Sequence, residues 1–164
     1  MKTLYIVRHA KSSWKHKSLN DFERPLRKKG MDDLHTIIGA LKEKDVKPDF
    51  LVSSAAVRAI QTAVLLSQGL EMSQECLGIR IALYQGKCEQ YMNSIKELPN
   101  ECDSAMIIGH HPAITDTINY LLEEELPRVA TSSVYCIQWD EMDSWEKCVG
   151  VPGHLIFHIK PKKF

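Results

Sequence analysis

The sequence predicts an α/β fold: three layers, with helices on both faces of a mainly parallel sheet and an antiparallel edge strand near the C-terminus. Three observations predict it. Short, continuous apolar runs such as Leu4-Tyr5-Ile6-Val7 and Ala105-Met106-Ile107-Ile108 read as strands buried on both faces. Stretches of helical periodicity separate them over the first three quarters of the chain, the pattern that builds parallel sheets. After Pro127 the pattern changes to strand, turn-rich stretch, strand.

Taken in order, Leu4 to Val7 is the first strand, and residues 12 to 30, polar and broken by Pro25 and Gly30, read as a long loop. From Met31, Leu34, Ile37, Ile38 and Leu41 fall on one helical face. Phe50 to Val52 is the second strand, and Ser53 and Ser54 offer N-caps for a helix running to about Gln68. Ile79 to Leu83 reads as a third strand and Glu89 to Leu98 as a helix with Tyr91, Met92 and Ile95 inward. Ala105 to Ile108 is stopped by Gly109, and Pro112 suits the first turn of a helix carrying Ile114, Ile118, Leu121 and Leu122. Val134 to Trp139 and His154 to Lys160 complete the strands; partial alternation in the latter suits a sheet edge.

The chain has 164 residues, enough for one domain spanning 1–164. Folding a chain of this size removes roughly 70% of its surface from water, so no staples are needed. A hydrophobic fraction of 44% with 26% charged residues excludes disorder. Equal numbers of basic and acidic residues, 21 each, argue against nucleic-acid or membrane partners, so any anion handled here must meet a local cluster of charge. Five widely spaced cysteines without a C-x-x-C pair read as reduced thiols. The first apolar run ends at Arg8, too soon for a signal peptide, and no run is long enough to span a bilayer. A cytoplasmic monomer is expected.

Three of the buried strands end in cationic or reactive residues. The first runs into Arg8-His9, the second into a helix whose first turn holds Arg58, and the fourth into Gly109-His110-His111-Pro112. In a parallel sheet these ends lie on one edge, where ligands of open α/β sheets bind. Two arginines can clamp a phosphate or carboxylate bidentately. Arg58 in a first turn opposes the helix dipole, and a bound anion would relieve that conflict. Histidine is a competent nucleophile toward phosphorus. On the residues alone, a single strand-end histidine is more often structural or solvated than catalytic, an arginine in a first turn is more often surface charge, and the set as a whole stands near even odds. His16, His35, His154 and His158 fall outside the cluster. Beside His110-His111 no carboxylate stands at a ligand spacing, so neither a metal nor another cofactor is expected.

Leu4 to Ala10, with Arg8-His9, resembles the N-terminal signature of the histidine phosphatase (phosphoglycerate-mutase-like) superfamily. Ser53 to Ala63, with Arg58 before Gln61-Thr62-Ala63, resembles its second block, Ile108 to Pro112 its third, and Asp21 to Leu26 with Gly30 its Arg-Pro-Leu…Gly segment. The resemblance implies that His9 becomes phosphorylated and that Arg8, Arg58 and His110 hold the transferring group. It gives Arg24 a share in the pocket, with a loop salt bridge to Asp21 or Glu23 as the alternative. Lys11 and Ser12 are further candidates for touching the anion.

Two departures matter. Ala10 stands where the family usually has glycine, a change familiar in its short bacterial branch. Many members carry an acidic proton donor after the third strand, whereas Leu83-Tyr84-Gln85-Gly86 has no carboxylate, and Glu89 is the nearest candidate. That absence, with no inserted cap, resembles the SixA type, which acts on phosphohistidine in proteins. A metal-independent phosphatase acting on a phosphorylated protein is therefore expected. A small phosphorylated molecule as substrate and a non-catalytic phosphoprotein-binding module are the alternatives. An imidazole leaves more readily than an alkoxide, so the missing acid weighs less for phosphohistidine.

Overall fold

Strand β1 (Lys2–Arg8) lies inside the sheet, with β4 (Ser104–Gly109) parallel on one side and β5 (Val134–Trp139) antiparallel on the other. The computed structural model describes residues 1–161. With β2 (Phe50–Ser54), β3 (Leu77–Arg80) and β6 (His154–Ile159), the sheet has six strands in the order β3-β2-β4-β1-β5-β6. The first four strands are mutually parallel, and edge strand β6 pairs antiparallel with β5.

Alternation along the strands divides the core. Leu4 and Ile6 of β1 and Ala105 and Ile107 of β4 face the layer of α3 (Cys88–Lys96), α4 (Ala113–Leu122) and the short α5 (Trp145–Cys148). Val7, Met106 and Ile108 face α1 (Lys28–Glu43) and α2 (Val57–Gly69). Both faces of these strands are buried, which is why they read as unbroken apolar runs. Trp145 and Tyr91 are fully buried in the first layer. Among the described residues, no helix is long and apolar enough to cross a membrane.

Four local expectations are corrected. The third strand is Leu77–Arg80, not Ile79 to Leu83: pairing to β2 in the register Leu51↔Leu77 sets its start, and Ile81–Leu83 close into a 3₁₀ turn. Ser53 and Ser54 are the last residues of β2, and Ala56 is the N-cap of α2. Gly30 lies within α1, which begins at Lys28; a Cβ there would collide with the Lys11 carbonyl, so the glycine lets the helix press on that backbone. The turn-rich stretch after β5 contains α5.

Candidate active site

The C-terminal ends of β1 and β4 lie side by side, with Arg8 paired to Gly109. The pairing continues one residue further, because the His9 backbone N–H donates to the Gly109 carbonyl at 3.0 Å. That ladder brings the imidazoles of His9 and His110 together, with ring centroids 5.1 Å apart. Tyr91 fixes the turn from below: its hydroxyl accepts from the His110 backbone N–H at 3.0 Å and donates to the Leu83 carbonyl at 3.1 Å. Only glycine fits at 109, because a Cβ would fall on the Tyr91 hydroxyl.

Arg58 occupies the second position of α2 and is buried at 6% exposure. The residues after it tie the helix to the neighbouring loops. Thr62 Oγ1 donates to the Arg58 carbonyl at 2.7 Å and accepts the Ala10 N–H at 3.0 Å, and Gln61 Oε1 accepts the Leu26 N–H at 2.7 Å. The segment after His9 runs back against residues 25–27: Ser13 N–H donates to the Pro25 carbonyl at 2.8 Å and Arg27 N–H to the Lys11 carbonyl at 3.1 Å. This zipper carries Arg24, Arg27 and Trp14 to the same sheet edge.

Asp21 organises two of the arginines. Arg58 Nη1 donates to its backbone carbonyl at 2.7 Å and Arg58 Nη2 to Oδ2 at 3.1 Å. Arg24 Nε donates to Oδ1 at 3.1 Å, Arg24 Nη1 to Ser12 Oγ at 2.8 Å, and Tyr84 Oη to Asp21 Oδ2 at 2.8 Å. Partial burial alone would raise the Asp21 carboxyl; the Tyr84 hydroxyl and the two guanidiniums outweigh it and hold the group below the usual range. Arg8 Nη1 donates to the Val129 carbonyl at 2.9 Å. Its pKa is lowered to about 10 by burial and by Arg128 and Arg58, so it keeps its charge at neutral pH.

Among the described residues, the result is a cavity of about 440 Å³ lined by six cations (Arg8, Lys11, Arg24, Arg27, Arg58 and Arg128), with His9, His110 and His111, and by no carboxylate. The protein as a whole is neutral, so the excess is local. Nε of Arg8 and of Arg58 and Nδ1 of His110 are buried without hydrogen-bond partners among the described residues. Burial, chiefly, pushes His9 down to about 3 and His110 to about 4, and neighbouring Arg58 and Arg8 add to both shifts. Both rings are neutral at pH 7. His9 Nδ1 lies 2.7 Å from the Ala10 carbonyl, which only an Nδ1–H can satisfy, so Nε2 carries the lone pair. His110 Nε2 lies 2.7 Å from Ser54 Oγ.

The structure thus brings together His9, Arg8, Arg58, His110 and Arg24, along with Lys11 and Ser12. Arg24 also makes the loop salt bridge to Asp21, so both of its expected roles are compatible with one position. Glu89 is not brought to the site: it is exposed on the first turn of α3 and does not line the cavity, because α3 turns its apolar face and not this edge toward the sheet. Sequence reasoning missed Arg27, Trp14, Arg128 and Thr131, which line the cavity, and Tyr84 as a partner of Asp21. The signal available for Arg128 was its place before β5. Ser132 N–H donates to the Arg8 carbonyl at 3.0 Å, which draws that loop over the end of β1. Among the described residues, no group of three His, Cys, Asp or Glu side chains could hold a metal ion.

Known proteins share this arrangement to different depths. The whole chain superposes on a candidate phosphohistidine phosphatase, SixA, from Agrobacterium tumefaciens with a TM-score of 0.82, 23% identity and 98% of each chain covered. The protein histidine phosphatase SixA complexed with tungstate gives 0.82 at 22% identity, covering 97% of each chain. A mycobacterial glucosyl-3-phosphoglycerate phosphatase gives 0.71 at 14% identity, covering 96% of this chain and 98% of that one. An uncharacterized chloroplastic protein of Arabidopsis thaliana is 25% identical over 158 residues, 92% of this chain and 72% of its own. Residues 4–78, which include Arg8, His9 and Arg58, match the model of the histidine phosphatase superfamily (branch 1). The match to the histidine phosphatase superfamily thus covers the segment that holds Arg8, His9 and Arg58, and the fold of the SixA structures is shared over nearly the full length.

Proposed function

We propose that this enzyme removes phosphate from phosphohistidine side chains of proteins, through a phosphohistidine formed on its own His9. The observation that carries the reading is the fixed tautomer of His9. With Nδ1–H given to the Ala10 carbonyl, the neutral ring presents Nε2 as its nucleophilic atom in a cavity of cations. In the first step His9 Nε2 bonds to phosphorus while the substrate's N–P bond breaks, and the departing imidazole takes a proton from solvent. In the second, water attacks phosphorus, the bond to Nε2 breaks, and inorganic phosphate leaves. Arg8 and Arg58 surround the transferring oxygens and offset their charge, with Arg24 and the neutral His110 ring beside them; phosphoryl transfer asks the protein for little else.

The substrate class follows from the lining. An alkyl phosphate needs its departing oxygen protonated, and a positioned acid typically contributes about 10²–10⁴-fold. Among the described residues no carboxylate lines this cavity, whereas an imidazole leaves without a strong acid. The SixA structures, one named as a protein histidine phosphatase and solved with tungstate, support the same reading. Turnover of phosphohistidine proteins, aryl phosphates and alkyl phosphates tests it. The expected order of rates is as written, and all should vanish in His9→Ala. Fast alkyl-phosphate hydrolysis with slow phosphohistidine turnover would make this a small-molecule phosphomonoesterase.

A further inference from the structure

The cavity holds more positive charge than one phosphoryl group needs. Arg8, Arg24 and Arg58 form its inner part, with Arg24 and Arg58 at 8% and 6% exposure. Arg27 and Arg128 line the same cavity from its exposed side. Among the described residues, neither their side chains nor that of Lys11 make an ion pair or a hydrogen bond, whereas Arg24 and Arg58 in the same lining are both paired with Asp21. Leaving three cations unpaired around one opening in a neutral protein is costly in mutual repulsion unless an anion completes them.

Trp14 stands in the same lining and is 74% exposed. One face of its indole is covered by the Arg24 guanidinium, 3.5 Å from the ring centroid, and the rest is open. An exposed tryptophan amid arginines is the composition of an interface anchor, since Trp and Arg dominate binding hot spots. The cations line one opening, which suits a compact partner better than a nucleic-acid backbone with its evenly spaced charges.

We propose that Lys11, Trp14, Arg27 and Arg128 form a docking surface for an acidic protein face, one that presents its phosphorylated side chain with carboxylates around it. This rests on the reading of the site as a protein phosphatase and adds a property to the substrate: acidic residues flanking the phosphohistidine. Complementary rim charges speed encounter and discriminate among partners while contributing modestly to affinity.

The test uses fluorescent peptides with a central non-hydrolysable phosphohistidine analogue, flanked by Glu in one and Gln in the other, and reads binding to the full-length protein. The Glu-flanked peptide should bind about tenfold more tightly at low ionic strength, a gap that closes at high salt. Arg27→Gln with Arg128→Gln should erase the gap, while inorganic phosphate binding changes by less than about twofold. Trp14→Ala should weaken both peptides alike. Equal binding of the two peptides would overturn the proposal, as would a gap that survives the double variant, or a parallel loss of phosphate binding that places these arginines in the phosphate pocket. A single-stranded oligonucleotide of equal charge that displaces the Glu-flanked peptide better than the unlabelled peptide does would also overturn it. Because binding and not turnover is read, a failure here is separable from a failure of His9 chemistry.

Discussion

Asp21 and Arg58 are joined twice, through the backbone carbonyl of Asp21 at 2.7 Å and through its carboxylate at 3.1 Å. The same carboxylate takes Arg24 and Tyr84, so one exposed loop residue sets the angle of two buried guanidiniums. Asp21→Ala should free Arg24 and leave Arg58 held by the backbone carbonyl alone, lowering kcat/KM by about 10–100-fold, since misplacement by about 1 Å can cost that much. Asp21→Asn, which keeps a side-chain oxygen, should lose less. Steady-state kinetics on a phosphohistidine protein decide it, and an unchanged Asp21→Ala enzyme would show that the arginines are held by other contacts.

The histidines make a prediction about pH. Unfolded, each imidazole takes a proton near 6.5; folded, His9 resists protonation to about 3 and His110 to about 4. Between those limits the unfolded chain binds more protons, so stability falls as pH drops from 6.5 toward 4, by at most about 1.4 kcal/mol per pH unit for each ring. Urea denaturation at pH 7 and pH 5 should show the loss, and His9→Ala should flatten it by about one proton. An NMR titration should find the His9 ring unchanged down to pH 5; a midpoint near 6.5 would contradict the burial argument.

Gly109→Ala should destabilise the fold by about 1–3 kcal/mol, the usual cost of overpacking. The added methyl must displace Tyr91, whose hydroxyl holds the His110 backbone, so turnover should fall as well. Chemical denaturation and kinetics on the same preparation check both.

Glu89→Gln should leave turnover within about twofold on any phosphorylated substrate, because the residue sits on the outside of α3. It should cost only about 0.3–1 kcal/mol of stability through the helix dipole. A hundredfold loss on alkyl phosphates would return Glu89 to the role of proton donor.

Arg8, His9, Arg58 and His110 were legible in the sequence because each follows a buried strand, and parallel strands carry their ends to one edge. The edge position of β6 was legible from its partial alternation. Arg27, Arg128 and Trp14 were not, because loop paths place them. The zipper of residues 11–13 against 25–27 and the contact of Ser132 with the end of β1 are tertiary hydrogen bonds with no periodic signal. Ser54 illustrates the other failure. A serine just before a helix reads as a cap, yet its hydroxyl here lies against His110 and accepts the Ala56 N–H, because β2 extends two residues further than its apolar run.

The central claim is that His9 Nε2 carries the phosphoryl group between substrate and water, and the site of phosphorylation tests it most directly. The enzyme is mixed with a phosphohistidine protein, quenched in denaturant at alkaline pH, where phosphohistidine survives, and analysed by NMR for the position of phosphorus on the ring. The account predicts phosphate on Nε2 of His9, because Nδ1 is bound to the Ala10 carbonyl, and none in His9→Ala. Phosphate on Nδ1, or release of phosphate while His9 stays unmodified throughout turnover, would contradict it.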